Sequence, residues 1–316
     1  MRKQLLCLGC SLVGMISLHE LAGCSNNKHD TGDQLAAGGQ SATGGQPDAG
    51  QECNAGAPGS NYVLIDDMET TPHGPILFTA GIAAPLTPGY WYNSGASYAD
   101  DAVADVADPA QGSFMFSALP SPTITLGCKA SAHAARQSCT LNGLYDTCGV
   151  GFEFAQEPAP DAGPPPADDP NGGLKVTVPF DISGYKAITF WGMTTTPDPE
   201  TGSLQIKVAF PDTDTDPRGQ ICNGGGGNTS MCYNSYARYL DFTTSWQQFT
   251  VLLDAGTGGV PPEGGIAIDK TWGYQGAQWI PTQVYGINWQ SQKNTEPDAG
   301  PPLTTEFWID DVYFIQ

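Results

Sequence analysis

The chain has 316 residues, with 12 Lys and Arg set against 33 Asp and Glu for a formal charge of −21. Nucleic-acid binding depends on clustered cations that neutralise phosphate, and no such cluster exists here, so that partner class is excluded. The acidic balance fits plain solubility or the holding of divalent cations.

The first 23 residues read as a secretory signal. Arg2 and Lys3 supply a positive start, and Leu5 to Leu18 is mostly apolar but too short to span a bilayer. Leu21-Ala22-Gly23-Cys24 then matches the lipobox of bacterial lipoprotein signals. Lipid on Cys24 is therefore expected, with the membrane as its first partner. Each buried methylene is worth about 0.8 kcal/mol, and two or more acyl chains hold stably. Ser25 stands where an inner-membrane retention signal would place Asp, which favours the outer membrane. Residues 24–60 are Gly, Ala, Gln, Asp and Ser with almost nothing large to bury, so they are expected to form a disordered tether. Its ends would lie roughly 30–35 Å apart as a flexible coil.

From 61 to 316 the sequence breaks into short apolar runs separated by turn residues. The clearest are 62–65, 151–154, 175–178, 187–191, 204–210, 248–253, 284–289 and 306–310. Several alternate polar with apolar, as half-buried antiparallel strands do. No window keeps helical periodicity. With 40 Gly and 26 Pro between the runs, one all-β sandwich domain is expected. Pro-Asp-Ala-Gly recurs at irregular spacing, and residues 156–173 and 293–302 read as Pro-rich loop insertions.

Nine cysteines are present; removing Cys7, Cys10 and the lipidated Cys24 leaves six, an even number suited to an oxidising compartment. Cys222 and Cys232 flank a Gly-rich loop and are the expected pair. Cys53, Cys128, Cys139 and Cys148 allow three connectivities.

Four stretches carry a resemblance. Leu64-Ile-Asp-Asp-Met-Glu69 opens the domain and Phe307-Trp-Ile-Asp-Asp-Val-Tyr-Phe314 closes it. Between them lie Phe180-Asp-Ile-Ser-Gly-Tyr-Lys-Ala-Ile-Thr-Phe-Trp-Gly192 and Thr244-Ser-Trp-Gln-Gln-Phe-Thr-Val251. Together they resemble the galactose-binding-like jelly-roll β-sandwiches, many of which are carbohydrate-binding modules. The chain is also similar to lipoproteins of social soil bacteria (myxobacteria) that carry Gly-Tyr-Trp-Tyr, here Gly89 to Tyr92. The resemblance implies a jelly roll whose first and last strands lie side by side.

That pairing would bring Asp67, Glu69 and Asp311 together, with Asp66 and Asp310 as alternates, and strand alternation would put one Asp of each pair on a given face. Relatives with this jelly roll commonly hold a structural Ca²⁺ near these termini, so the resemblance implies calcium there; the other reading is a set of capping carboxylates. Asp212-Thr-Asp-Thr-Asp216 looks like the opening of a calcium loop, but Pro217 and Arg218 follow where the loop needs Gly, and a turn is the better reading. Sugars stack on aromatic faces while polar groups fix their hydroxyls. Tyr92, Tyr236, Arg238, Trp272 and Tyr274 are the ligand candidates, and Trp91, Trp191, Trp246 and Trp308 are assigned to packing. No hydrolase, zincin or nucleotide-binding motif appears. The expected function is thus a surface-anchored, noncatalytic carbohydrate-binding lipoprotein with a glycan as partner. An envelope adhesion or scaffold protein is the alternative, and a diverged glycan-active enzyme the third.

Overall fold

The computed structural model describes residues 61–69, 75–96, 107–108, 117–119, 124–126, 129–141, 146–158, 175–223, 231–257, 260–292 and 303–316. The signal peptide, Cys24, the tether, Cys53, Cys128 and the 293–302 insertion lie outside them.

Seventeen strands are described. In chain order they are β1 (Tyr62–Asp66), β2 (Thr87–Pro88), β3 (Trp91–Ala96), β4 (Ala107–Asp108), β5 (Ser117–Ala118), β6 (Ile124–Leu126), β7 (Lys129–Ser131), β8 (His133–Leu141) and β9 (Thr147–Glu153). Then follow β10 (Ala155–Pro158), β11 (Lys175–Val178), β12 (Ala187–Thr194), β13 (Leu204–Phe210), β14 (Tyr236–Phe242), β15 (Gln247–Leu252), β16 (Gly286–Gln292) and β17 (Leu303–Ile315). A 3₁₀ turn lies at Pro217–Gly219, and among the described residues no helix is long and apolar enough to cross a membrane.

Two sheets make the sandwich. One runs β15-β12-β17-β8-β4, with β1 also pairing β17 and β5 pairing β8; the other runs β14-β13-β16-β9-β3. All pairings are antiparallel. Successive long strands β8, β9, β12 and β13 alternate between the sheets, β14 stays beside β13, and β15, β16 and β17 alternate again. This order interleaves two Greek keys and is that of a jelly roll. A small sheet, β11-β10-β2, covers one end.

Period-2 burial explains the strands that were legible. In β13, Leu204, Ile206, Val208 and Phe210 face inward, while Gln205 is exposed. The core between the sheets is aromatic. Trp91 stacks on Trp289 at 5.9 Å, Phe190 meets Trp289 edge-on at 5.3 Å, and Phe78 touches Phe154, Phe180, Tyr185 and Phe314. Trp91 and Trp308 are buried as expected; Trp191 and Trp246 are half-buried.

Two sequence expectations need correction. Residues 156–158 belong to β10 rather than to a loop, because they pair with β11 on one side, and Gln156 also pairs with β2 on the other. Tyr236 and Arg238 lie on the edge strand β14. The terminal Asp pair does not alternate. Pairing with β12 steps from Thr189↔Tyr313 to Trp191↔Asp310, so β17 bulges by one residue, and Asp311 takes φ +49°. Asp310 and Asp311 are both buried as a result.

Disulfides join Cys139 to Cys148 and Cys222 to Cys232. The first ties β8 of one sheet to β9 of the other, which selects among the three connectivities. The second is the expected pair.

Candidate functional site

Two polar centres were anticipated, one at the chain ends and one among aromatics. At the ends, β1 lies antiparallel to β17, from Tyr62↔Ile315 to Asp66↔Val312. Asp66 accepts Met68 N and Trp91 Nε1, both at 2.9 Å, so it anchors a core tryptophan. Asp67 accepts Glu69 N at 3.3 Å within its own turn. Glu69 Oε1 takes three donors: Ser131 Oγ at 2.9 Å, Ala132 N at 2.9 Å and His133 N at 3.2 Å. Ser131 Oγ also bonds Asp310 Oδ2, and Asp310 Oδ1 accepts Asp311 N at 2.7 Å.

The structure therefore links Glu69 and Asp310 through Ser131, with Asp311 next in the chain, while Asp66 bonds Met68 and Trp91 instead. Burial, and then the charge of Asp311, pushes the Asp310 carboxyl up to about 8. These are hard oxygens of the class Ca²⁺ takes. With Glu69 Oε1 already accepting three hydrogen bonds, the acids alone do not supply the shell of about six to eight oxygens. No group of three or more His, Cys, Asp or Glu among the described residues is arranged to hold a metal.

The Asp212–Asp216 segment is a turn whose three carboxylates are all buried. Asp212 Oδ1 accepts Asp214 N, Thr215 N and Thr215 Oγ1 at 2.8–3.2 Å. The other oxygens reach across to a neighbouring segment: Asp214 Oδ2 accepts Gln278 N at 2.9 Å and Asp212 Oδ2 accepts Ile280 N at 3.3 Å. Asp216 is gripped by Arg218. Hence the loop holds the 277–281 segment in place by satisfying its backbone.

That segment walls a cavity of 680 Å³, between the start of β14 and the long connection from β15 to β16. Three rings line it: Tyr236, Tyr274 and Trp279. Trp279 packs on Tyr236 at 5.6 Å and on Phe210 at 6.1 Å. Tyr236 Oη donates to Ala277 O at 3.2 Å, and burial followed by the charges of Asp212 and Asp214 raises its phenol, so it stays neutral. Polar groups share the walls, among them Asp254, Asp269, Gln275 and Gln278. Partial burial pushes the Asp269 carboxyl up, but hydrogen bonds from Thr271 and Trp272 and the charge of Lys207 outweigh it. Asp269 therefore sits below the usual carboxylate range.

Of the ligand candidates, Tyr236 and Tyr274 meet in this cavity. Trp272 stands beside it, 44% exposed. Arg238 does not join them; it is half-buried opposite Val208. Tyr92 is elsewhere too, on β3 over Gly151, enclosed near Glu153, Asp216 and Arg218, where burial raises its phenol well above the usual range. Sequence reasoning missed the acids and amides of the wall. The available signal was the length of the 253–285 connection, since a long ordered loop in a compact domain is usually functional.

No family model and no curated protein matches the chain. Among solved structures, an exo-β-agarase is similar to it with a TM-score of 0.32 and 11% identity, over 64% of this chain and 22% of that chain. The chain thus spans less than a quarter of that enzyme's length.

Proposed function

We propose that the sandwich is a noncatalytic glycan-binding domain, held at the cell envelope by lipid on Cys24 and the tether that follows. The observation that carries this is the cavity, in which three aromatic rings stand among carboxylates and amides. Sugar rings offer C–H faces to aromatic faces, and their hydroxyls donate to carboxylates and exchange hydrogen bonds with amides. A structural Ca²⁺ at Glu69, Asp310 and Asp311 belongs to the same reading; Ser131 links Glu69 to Asp310 there, and the rest of a calcium shell would have to come from other oxygens.

The test is a glycan array followed by titration calorimetry on the full chain. Tyr274→Ala is expected to weaken binding about tenfold, equivalent to about 1.4 kcal/mol. Arg238→Ala should leave it unchanged, and neither should move the melting temperature. Silence toward every glycan by the folded protein would overturn the proposal and favour a scaffold role.

A further inference from the structure

Trp272 is an exposed tryptophan carried on a closely bonded turn. Its indole, whose only polar group is the N–H, lies close enough to the Asp269 carboxylate to help hold it below the usual carboxylate range. That carboxylate accepts Thr271 N at 2.8 Å and Thr271 Oγ1 at 2.6 Å. From below, Asn234, 2% exposed, gives both amide hydrogens to the same turn: Asp269 O at 2.6 Å and Trp272 O at 2.7 Å. Gly273 follows at φ +78° against Asn234, where an added Cβ would stand 2.6 Å from the Asn234 Cβ. Tyr274 N then donates to Met231 O at 2.9 Å, beside the Cys222–Cys232 disulfide. A ring that is already fixed loses little conformational entropy when a partner stacks on it, which is the advantage of a rigid aromatic anchor.

A second exposed ring stands on β14, which the bridge Ala237↔Ala267 joins to the segment leading to Asp269. Tyr239 is 46% exposed, pairs with Lys207 across β13 and β14, and is close enough to Asp269 to feel its charge. Asp269 thus borders the cavity, Trp272 and the neighbourhood of Tyr239 at once.

We infer that the binding site continues out of the cavity past Asp269 onto Trp272 and Tyr239, and that its ligand is an extended, uncharged polysaccharide gripped along several sugar units. This rests on the glycan reading above and specifies the ligand for it. Charge selects the class: the chain carries −21 overall, and the cavity wall sets Asp254 and Asp269 against the single cation Lys270, so a polyanionic glycan would meet a net like charge. Asp269 and Asn234 are positioning residues that aim the Trp272 ring.

The experiment uses calorimetry on the full chain with neutral β-glucan, xylan, mannan and galactan oligomers, from disaccharide to hexasaccharide, and oligogalacturonate as the acidic probe. Affinity for the preferred neutral series should rise roughly tenfold or more with length. Trp272→Ala should flatten that rise and leave the disaccharide unaffected, whereas Tyr274→Ala should weaken every length. Asn234→Ala should lower the fluorescence anisotropy contributed by Trp272, measured against Trp272→Phe as background. Binding that ignores length, or a Trp272→Ala protein that loses affinity equally at all lengths, overturns the extended site alone. Oligogalacturonate binding as tightly as the neutral oligomers at low salt overturns the uncharged ligand. Absence of binding to any oligomer overturns the glycan reading itself.

Discussion

Replacing Arg218 by Met is expected to lower the unfolding free energy by about 3 kcal/mol, the lower end of what breaking a buried ion pair costs. Arg218 Nε and Nη2 fork onto the two oxygens of Asp216, each at 2.8 Å, and Nη1 reaches Glu153 Oε1 at 2.7 Å. The guanidinium lies over the Tyr285 ring at 4.4 Å. Asp216 is 6% exposed, so without Arg218 its charge is stranded out of water. The Arg218 side chain itself is 38% exposed, and solvent screening is the reason for taking the lower figure. Lys at this position should recover little, since an ammonium cannot make the two-pronged contact or stack as a plane. Asp216→Asn combined with Arg218→Met should recover part of the loss, because no unpaired charge is then left behind. Urea unfolding of the wild type, Arg218→Met, Asp216→Asn and the double variant gives the coupling, and a loss below about 1 kcal/mol for Arg218→Met would sink the account. Binding should fall as well, though Arg218 does not line the cavity. Asp216 belongs to the turn whose Asp212 and Asp214 hold the 277–281 wall, and a loosened turn loosens the wall.

The same turn shows where the sequence was legible and where it was not. Asp212-Thr-Asp-Thr-Asp216 reads as a turn because Asp and Thr close such bonds locally, and Pro217 blocks the calcium-loop continuation. Nothing local announces that its spare oxygens would meet Gln278 and Ile280, more than 60 residues on. Strands with large alternating side chains, such as β13, were readable at nearly their true bounds. β8 was not: it faces the core with Ala135 and Cys139, residues too small to mark a period. β14 was hidden by Tyr236, Arg238 and Tyr239, whose polar ends suit a ligand site as well as an edge strand. The nearness of Tyr236 to Tyr274, and the distance of Tyr92 from both, are facts of long-range pairing. So is the bulge that buries both Asp310 and Asp311, since one extra residue in β17 leaves no mark in the sequence.

That bulge sets up the other large effect, which is on pH. The folded-state pKa of Asp310 is raised from 3.8 to about 8, first by burial and then by the neighbouring Asp311 charge. Between those values the folded protein keeps a proton that the unfolded chain releases. The stability this contributes is full below pH 4 and is lost as pH rises through 8. At about 1.4 kcal/mol per pH unit, the loss across the window is on the order of 5 kcal/mol. Asp212, raised to about 6 mainly by burial, adds a change of the same sign over a narrower window. Glu69 works oppositely. Partial burial raises it, but bonds from Ala132, His133 and Ser131 win and lower it, so its contribution is present above its unfolded value near 4.5 and lost in acid. Stability in EDTA should therefore peak in mild acid and decline toward pH 8. Asp310→Asn should abolish most of that decline, raising the melting temperature at pH 8 and leaving it nearly unchanged at pH 4.5. The wild-type protein should separate proton from cation at the same cluster. If Ca²⁺ joins Glu69, Asp310 and Asp311, millimolar calcium will flatten the decline in the wild type, and Asp310→Asn will weaken the response. A melting temperature that is indifferent to calcium and EDTA at pH 8 rules the metal out and leaves the proton as the partner of that buried carboxylate. A profile in EDTA that is flat from pH 5 to 8 would overturn the buried-proton account.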